Sequence, residues 1–178
     1  MVTHPGYGGP RAAPYDRAVS PALPPIDADQ LAGFWGRFLA TGTVDPAMPM
    51  PRTVEPFGDS AEQADELIAL VVDGPKRATA AALAAYEAEG VEPPAPGTIW
   101  IATDGRGRAR AVLRVTDVRI GPLRSVDEEF AWDEGEGDRA SWLVAHERFF
   151  RRYLPTLGVA YDPELTTVFE RFEVLFAE

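Results

Sequence analysis

The chain of 178 residues contains no cysteine. A disulfide framework, a thiolate zinc site and a cysteine nucleophile are therefore excluded, and the composition fits a reducing, cytoplasmic compartment. Histidine is nearly as scarce: His4 and His146 are the only two. A histidine-rich metal centre cannot be assembled from them, and His146 is expected as a helix-surface or hydrogen-bonded core residue. No window approaches twenty continuous apolar residues, and the start Met-Val-Thr-His-Pro-Gly lacks the basic and apolar segments of an export signal. The expectation is a soluble, unexported chain with no membrane association. Lysine is the most informative shortage. Sixteen of the 17 basic residues are arginine, and the one lysine is Lys76, in Gly74-Pro75-Lys76-Arg77-Ala78-Thr79. Guanidinium stays protonated, so a single retained lysine is notable where an amine must lose a proton or act as a compact point charge.

The formal net charge is -11, which argues against tight binding of long duplexes through a broad basic face. A nucleoside or a short single-stranded segment held by a local basic spot remains compatible with it. Arg106, Arg108, Arg110, Arg114, Arg119 and Arg124 cluster against Asp117 alone and are expected on the solvent face of a strand pair.

Residues 1–25 are rich in Gly, Pro and Ala and are expected as a disordered or draped arm, with one domain over 26–178. Asp27 caps an amphipathic helix carrying Leu31, Phe34, Trp35, Phe38 and Leu39, which Gly42 stops. Residues 43–58, with four prolines, read as an extended loop. Ser60 and Gln63 form a capping box for a helix that Gly74 ends, and the alanine-rich run from Ala78 to Ala88 predicts a resumed helix closed by Gly90. Thr98–Thr103 and Ala109–Val118 should pair as a hairpin across Asp104-Gly105-Arg106-Gly107. Ser125 and Glu128 predict a short helix through Trp132, and Ser141 is the expected cap of a longer helix broken by Pro155. Thr166–Phe176 reads as a long strand with Phe172, Val174 and Phe176 on one face. The pattern predicts an α+β fold around a small, barrel-like sheet.

The glycines near Asp104 do not form a phosphate loop, because the Gly-Lys-Ser/Thr ending is missing. Thr79, a lysine and a carboxylate together offer a nucleophile, a base and an orienter without histidine. The carboxylate is expected from the run Glu128, Glu129, Asp133, Glu134, Glu136 and Asp138, as a solvated face or as one group turned toward Lys76. A divalent cation at Glu134, Glu136 and Asp138 is a further option; otherwise no cofactor is expected. Trp100, Trp132 and Trp142 are expected either in the core or as a base-stacking surface.

Phe57-Gly58, the Gly-x-Lys-x-x-Thr motif, Pro96-Gly97, Ala131-x-x-Glu134-Gly135, Trp142 and Phe149-Phe150 together resemble the ASCH domain, the activating-signal-cointegrator homology family, over about Phe34 to Phe176. The resemblance implies a PUA-like mixed β-barrel with flanking helices, here with an extra N-terminal helix. Relatives include a small bacterial amidohydrolase acting on N4-acetylcytidine and a single-strand ribonuclease. By motif, a threonine nucleophile, an activating lysine and an assisting glutamate fall on Thr79, Lys76 and Glu134. Substrate contacts are expected from Phe57, Gly58, Arg77, Glu136, Ser141 and Trp142. Three functions follow as expectations: a nucleoside amidohydrolase, a single-strand ribonuclease, or a non-catalytic RNA- or ligand-binding module.

Overall fold

The computed structural model describes residues 23–135 and 137–178; residues 1–22 of the arm expected over 1–25, and Glu136, lie outside them. Helix α1, Ala28–Ala40, begins where Asp27 accepts from the Gln30 amide at 3.0 Å. The Gln30 side chain does not return to the cap. It donates to the Ala109 carbonyl and accepts from the Ala109 amide, tying the helix to the sheet. Gly42 has φ +72° just past the helix, the left-handed conformation expected of a stop.

Strand β1, Val54–Pro56, lies in the stretch expected to be loop. Three residues flanked by prolines carry too short a pattern to read as a strand, and this one exists by pairing parallel to β3 at the sheet edge, where proline is tolerated. Helix α2, Ala61–Val72, is capped by Ser60 as expected.

The largest departure follows it. Ala78–Ala82 is strand β2, and only Leu83–Glu89 is helix (α3). Alanine prefers helix by tenths of a kcal/mol per residue, ~0.5, and antiparallel pairing with β5 outweighs that preference. Small side chains also let Ala78, Ala80 and Ala82 pack closely against Trp142, Phe150 and Phe169.

Strands β3, Ile99–Thr103, and β4, Ala109–Pro122, form the expected hairpin. Asp104 closes its turn by accepting from the Arg106 and Arg108 amides. Helix α4, Glu128–Asp133, is capped by Asp127 and not by Ser125. Ser125 instead accepts from Arg119 and donates to the Pro122 carbonyl. Helix α5, Arg139–Tyr153, is capped by Asp138, which accepts from the Ser141 amide at 2.8 Å; Ser141 therefore sits inside the first turn. Strand β5, Thr166–Ala177, completes the sheet.

The sheet order is β1-β3-β4-β5-β2, with only the β1–β3 pair parallel. It curls into a half-barrel. The concave side holds Phe57, Trp100, Leu113, Val115 and Phe172 and is plugged by Leu67, Ile68 and Val71 of α2. The convex side is covered by α1 through Phe34 and Phe38 at one end and by α5 at the other. Phe176 belongs to the α1 side and not with Phe172, because the β4–β5 register slips between Val112 and Leu113 and turns the strand over. Two arginines of β4 pair with carboxylates, Arg114 with Glu173 and Arg110 with Asp104, and Arg124, in the turn just past the strand, pairs with Glu164.

Candidate active site

Lys76 leaves the C-terminus of α2 and is 1% exposed. Its amide donates back to the Leu70 carbonyl at 3.1 Å, which closes the helix end. A Cβ on Gly74 would stand 3.0 Å from that same carbonyl, a tight contact against backbone that glycine avoids. Arg77 fixes the turn from the side, its Nη1 donating to the carbonyls of Val71, Gly74 and Lys76. The Arg77 amide donates to the Asp133 carbonyl at 2.6 Å, and Arg171 pairs with Asp133. These bonds join the end of α4 to the segment that carries the lysine.

That junction delivers Glu134 to Lys76. The lysine Nζ donates to Glu134 Oε2 at 2.9 Å and lies 3.4 Å from the Glu134 carbonyl. Both side chains are nearly fully buried. The ammonium lies 5.2 Å from the Phe57 ring centroid, so an aromatic face partly replaces the water it has lost. Gly135, with φ +79°, turns the chain away immediately after the glutamate.

Glu134 Oε1 has no hydrogen-bond partner among the described residues, although His146 Nε2 stands 3.6 Å away. His146 lies 3.1 Å through Nδ1 from the Trp142 carbonyl and stacks on that indole at 3.6 Å. Trp142 is itself fully buried, and Trp100 is buried on the concave side, so both serve the core; Trp132 is exposed.

Thr79 lies on β2 directly opposite Glu170 of β5, so their side chains share a face. It is the concave face, since Ala78 and Ala80 flank Thr79 and point to the convex core while Phe172, two residues from Glu170, belongs to the concave one. Glu170 is buried and its Oε1 accepts from the Tyr86 hydroxyl at 2.7 Å. Burial, with a contribution from Glu134, pushes the Glu170 carboxyl up to about 7 despite the lowering effect of Tyr86. Glu55 of β1 has a buried Oε2 without a hydrogen-bond partner among the described residues. Burial, then Glu170 and Glu89, push it up to about 8. Strands β1 and β2 are the two sheet edges, and Glu170, on β5 beside β2, is one of the charges that bear on Glu55 of β1.

Of the other expected contacts, Phe57 is the ring beside the ammonium, and Gly58 turns with φ +75° against the Gln63 side chain. Ser141 is exposed on α5. Glu134 and Asp138 are engaged by Lys76 and the Ser141 amide, and among the described residues no group of three or more candidate metal ligands is present. Glu55, Glu170 and Tyr86 went unread in the sequence. One signal existed: strand alternation from Phe172 places Glu170 on an apolar inward face, where a carboxylate is unexpected.

A family model for the ASCH domain matches residues 53–176. Protein EF3133 from Enterococcus faecalis is 36% identical, with a TM-score of 0.75 over 82% of this chain and 88% of its own. The ASCH domain structure from Lactobacillus crispatus is 25% identical, with a TM-score of 0.72 over 83% of this chain and 94% of its own. The half-barrel with flanking helices matches that PUA-like fold. No match was found among curated proteins. Among the described residues, no helix is long and apolar enough to cross a membrane.

Proposed function

The chain belongs to the ASCH domain family, and from that membership we propose that it is an amidohydrolase releasing the acyl group of an N4-acylated cytidine. The buried Lys76–Glu134 pair, held beside Phe57 with its lysine three residues before Thr79 in the chain, carries the reading. A pair with both charges removed from water is costly to keep for stability alone. It is well suited to moving a proton over 2.9 Å.

In the proposed sequence, Lys76 hands its proton to Glu134, and the resulting amine takes the Thr79 hydroxyl proton as Oγ1 attacks the acyl carbon. The carbon–nitrogen bond breaks, and protonated Glu134 gives its proton to the departing cytidine amine. Water then attacks the threonyl ester, losing its proton through the same pair, and Thr79 recovers its own.

Chromatographic assay of N4-acetylcytidine hydrolysis tests this. The parent should release cytidine and acetate; Thr79→Ala and Lys76→Arg should lose at least a hundredfold in kcat. Turnover by Lys76→Arg equal to the parent would remove the neutral-amine step. If single-stranded RNA is cleaved and the acylated nucleoside is untouched, the protein is a ribonuclease; saturable nucleoside binding without product makes it a binding module.

A further inference from the structure

The proposed chemistry uses one oxygen of Glu134 and leaves the other without a donor. Oε2 accepts from Lys76, while Oε1 is buried and has no hydrogen-bond partner among the described residues. A buried carboxylate oxygen in that state is costly, and a charge-assisted donor removes the cost. His146 Nε2 stands 3.6 Å from it. That gap is slightly long for a hydrogen bond and too short to admit a water, so a small shift of either side chain closes it.

Helical spacing brings the ring to this place. Trp142, His146 and Phe150 follow one another at four-residue steps on α5 and share its buried face. The imidazole stacks on the Trp142 indole with centroids 3.6 Å and planes 15° apart, and the Phe150 ring centroid lies 6.1 Å away. Its Nδ1 lies 3.1 Å from the Trp142 carbonyl. A carbonyl only accepts, so Nδ1 carries a hydrogen. In the neutral ring Nε2 is then a bare acceptor facing a carboxylate oxygen, and only the imidazolium offers Glu134 an N–H.

Resting on the reading above, we infer that His146 is a positioning residue of the site, an imidazolium that holds Glu134 Oε1 while Lys76 holds Oε2. Fixed through both oxygens, the carboxyl cannot swing away from the lysine. When Glu134 carries the proton received from Lys76, the neighbouring positive charge makes it a readier acid toward the departing cytidine amine. The ring itself exchanges no proton with the substrate. Across the junction after α4 it faces Glu134, with Lys76 behind that carboxylate. On its own helix, Glu147 and Arg148 belong to the outer face with Val144 and Arg151.

Nitrogen NMR of the isotope-labelled full chain, with N4-acetylcytidine kinetics on the same preparations, tests the inference. His4 and His146 are the only histidines, so the spectrum of His146→Gln assigns the ring signals. Near neutral pH both ring nitrogens of His146 should be protonated. Glu134→Gln should move the loss of the Nε2 proton to lower pH, because the carboxylate that favours the imidazolium is gone. His146→Leu should lose about tenfold in kcat with KM within about twofold of the parent, and His146→Gln, whose amide N–H can donate to Oε1, should recover most of that loss. A merely structural ring would show neither rescue by glutamine nor a response to the charge at position 134. A neutral His146 ring in the parent, a titration unmoved by Glu134→Gln, or parental kcat in His146→Leu overturns the inference. A coupled imidazolium in a chain that leaves N4-acetylcytidine intact would sink the hydrolase reading and keep His146 as the partner of Glu134. Hydrolysis beside a neutral ring would do the opposite.

Discussion

Lys76 Nζ stands 2.9 Å from Glu134 Oε2 across 58 residues of sequence, with almost no solvent at either end. Removing one member strands the other charge, so Glu134→Leu should destabilise the fold by about 3–5 kcal/mol. The double variant Lys76→Met/Glu134→Leu should recover most of that loss, because burying two apolar groups avoids both desolvation costs. Urea unfolding of the parent, both single variants and the double variant measures the coupling. A Glu134→Leu variant as stable as the parent would mean that the two charges do not depend on one another.

Stability should fall as pH rises from mildly acidic to alkaline. Glu55 and Glu170 are raised from 4.5 to about 8 and about 7. Below pH 4.5 both are protonated in folded and unfolded chains alike. Above it the unfolded chain ionises first, so the contribution is lost progressively through about pH 7 to 8. Thermal melts should therefore show Glu170→Gln and the parent closest near pH 5, with the variant relatively more stable at pH 8.5. A difference independent of pH would show that Glu170 ionises as easily in the fold as in the open chain.

The glutamate reaches the lysine through a glycine. Gly135 has φ +79°, and a Cβ there would meet Pro75 at 3.4 Å, Leu70 at 3.5 Å and Lys76 Cβ at 3.7 Å, ordinary contacts, so backbone strain and not crowding opposes a side chain. Gly135→Ala should cost about 1 kcal/mol. Because relief of the strain rotates the turn that carries Glu134, kcat on N4-acetylcytidine should drop more than KM rises. Gly90→Ala, at φ +66° with open space around it, is the comparison: similar strain, no effect on kcat. Equal loss of kcat in both variants would detach Gly135 from the site.

Local signals were legible where a side chain bonds to its own neighbourhood: Asp27 and Ser60 cap their helices, Gly42 and Gly90 end theirs, and the Asp104 turn joins its hairpin. What the sequence obscured depends on partners far along the chain. Alanines at 78–82 become a strand only because β5 offers an edge, and Phe176 changes face only through a bulge against β4. The site divides in the same way. Lys76, Thr79 and Glu134 stand out by rarity and motif, whereas the burial of Glu55 and Glu170 depends on sheet partners far along the chain.

Arg77 separates a structural arginine from a ligand contact. Its Nη1 donates to the carbonyls of Val71, Gly74 and Lys76 at 3.1, 3.4 and 2.6 Å, all at the end of α2. Arg77→Met keeps much of the aliphatic stem and removes the donors, leaving part-buried carbonyls exposed to loss of about 1–3 kcal/mol. With the substrate contact made elsewhere, the KM for N4-acetylcytidine should stay within about twofold of the parent, well under the tenfold that 1.4 kcal/mol would produce. Unfolding and steady-state kinetics on the same preparation decide between the roles. A tenfold rise in KM at unchanged stability would place Arg77 on the ligand.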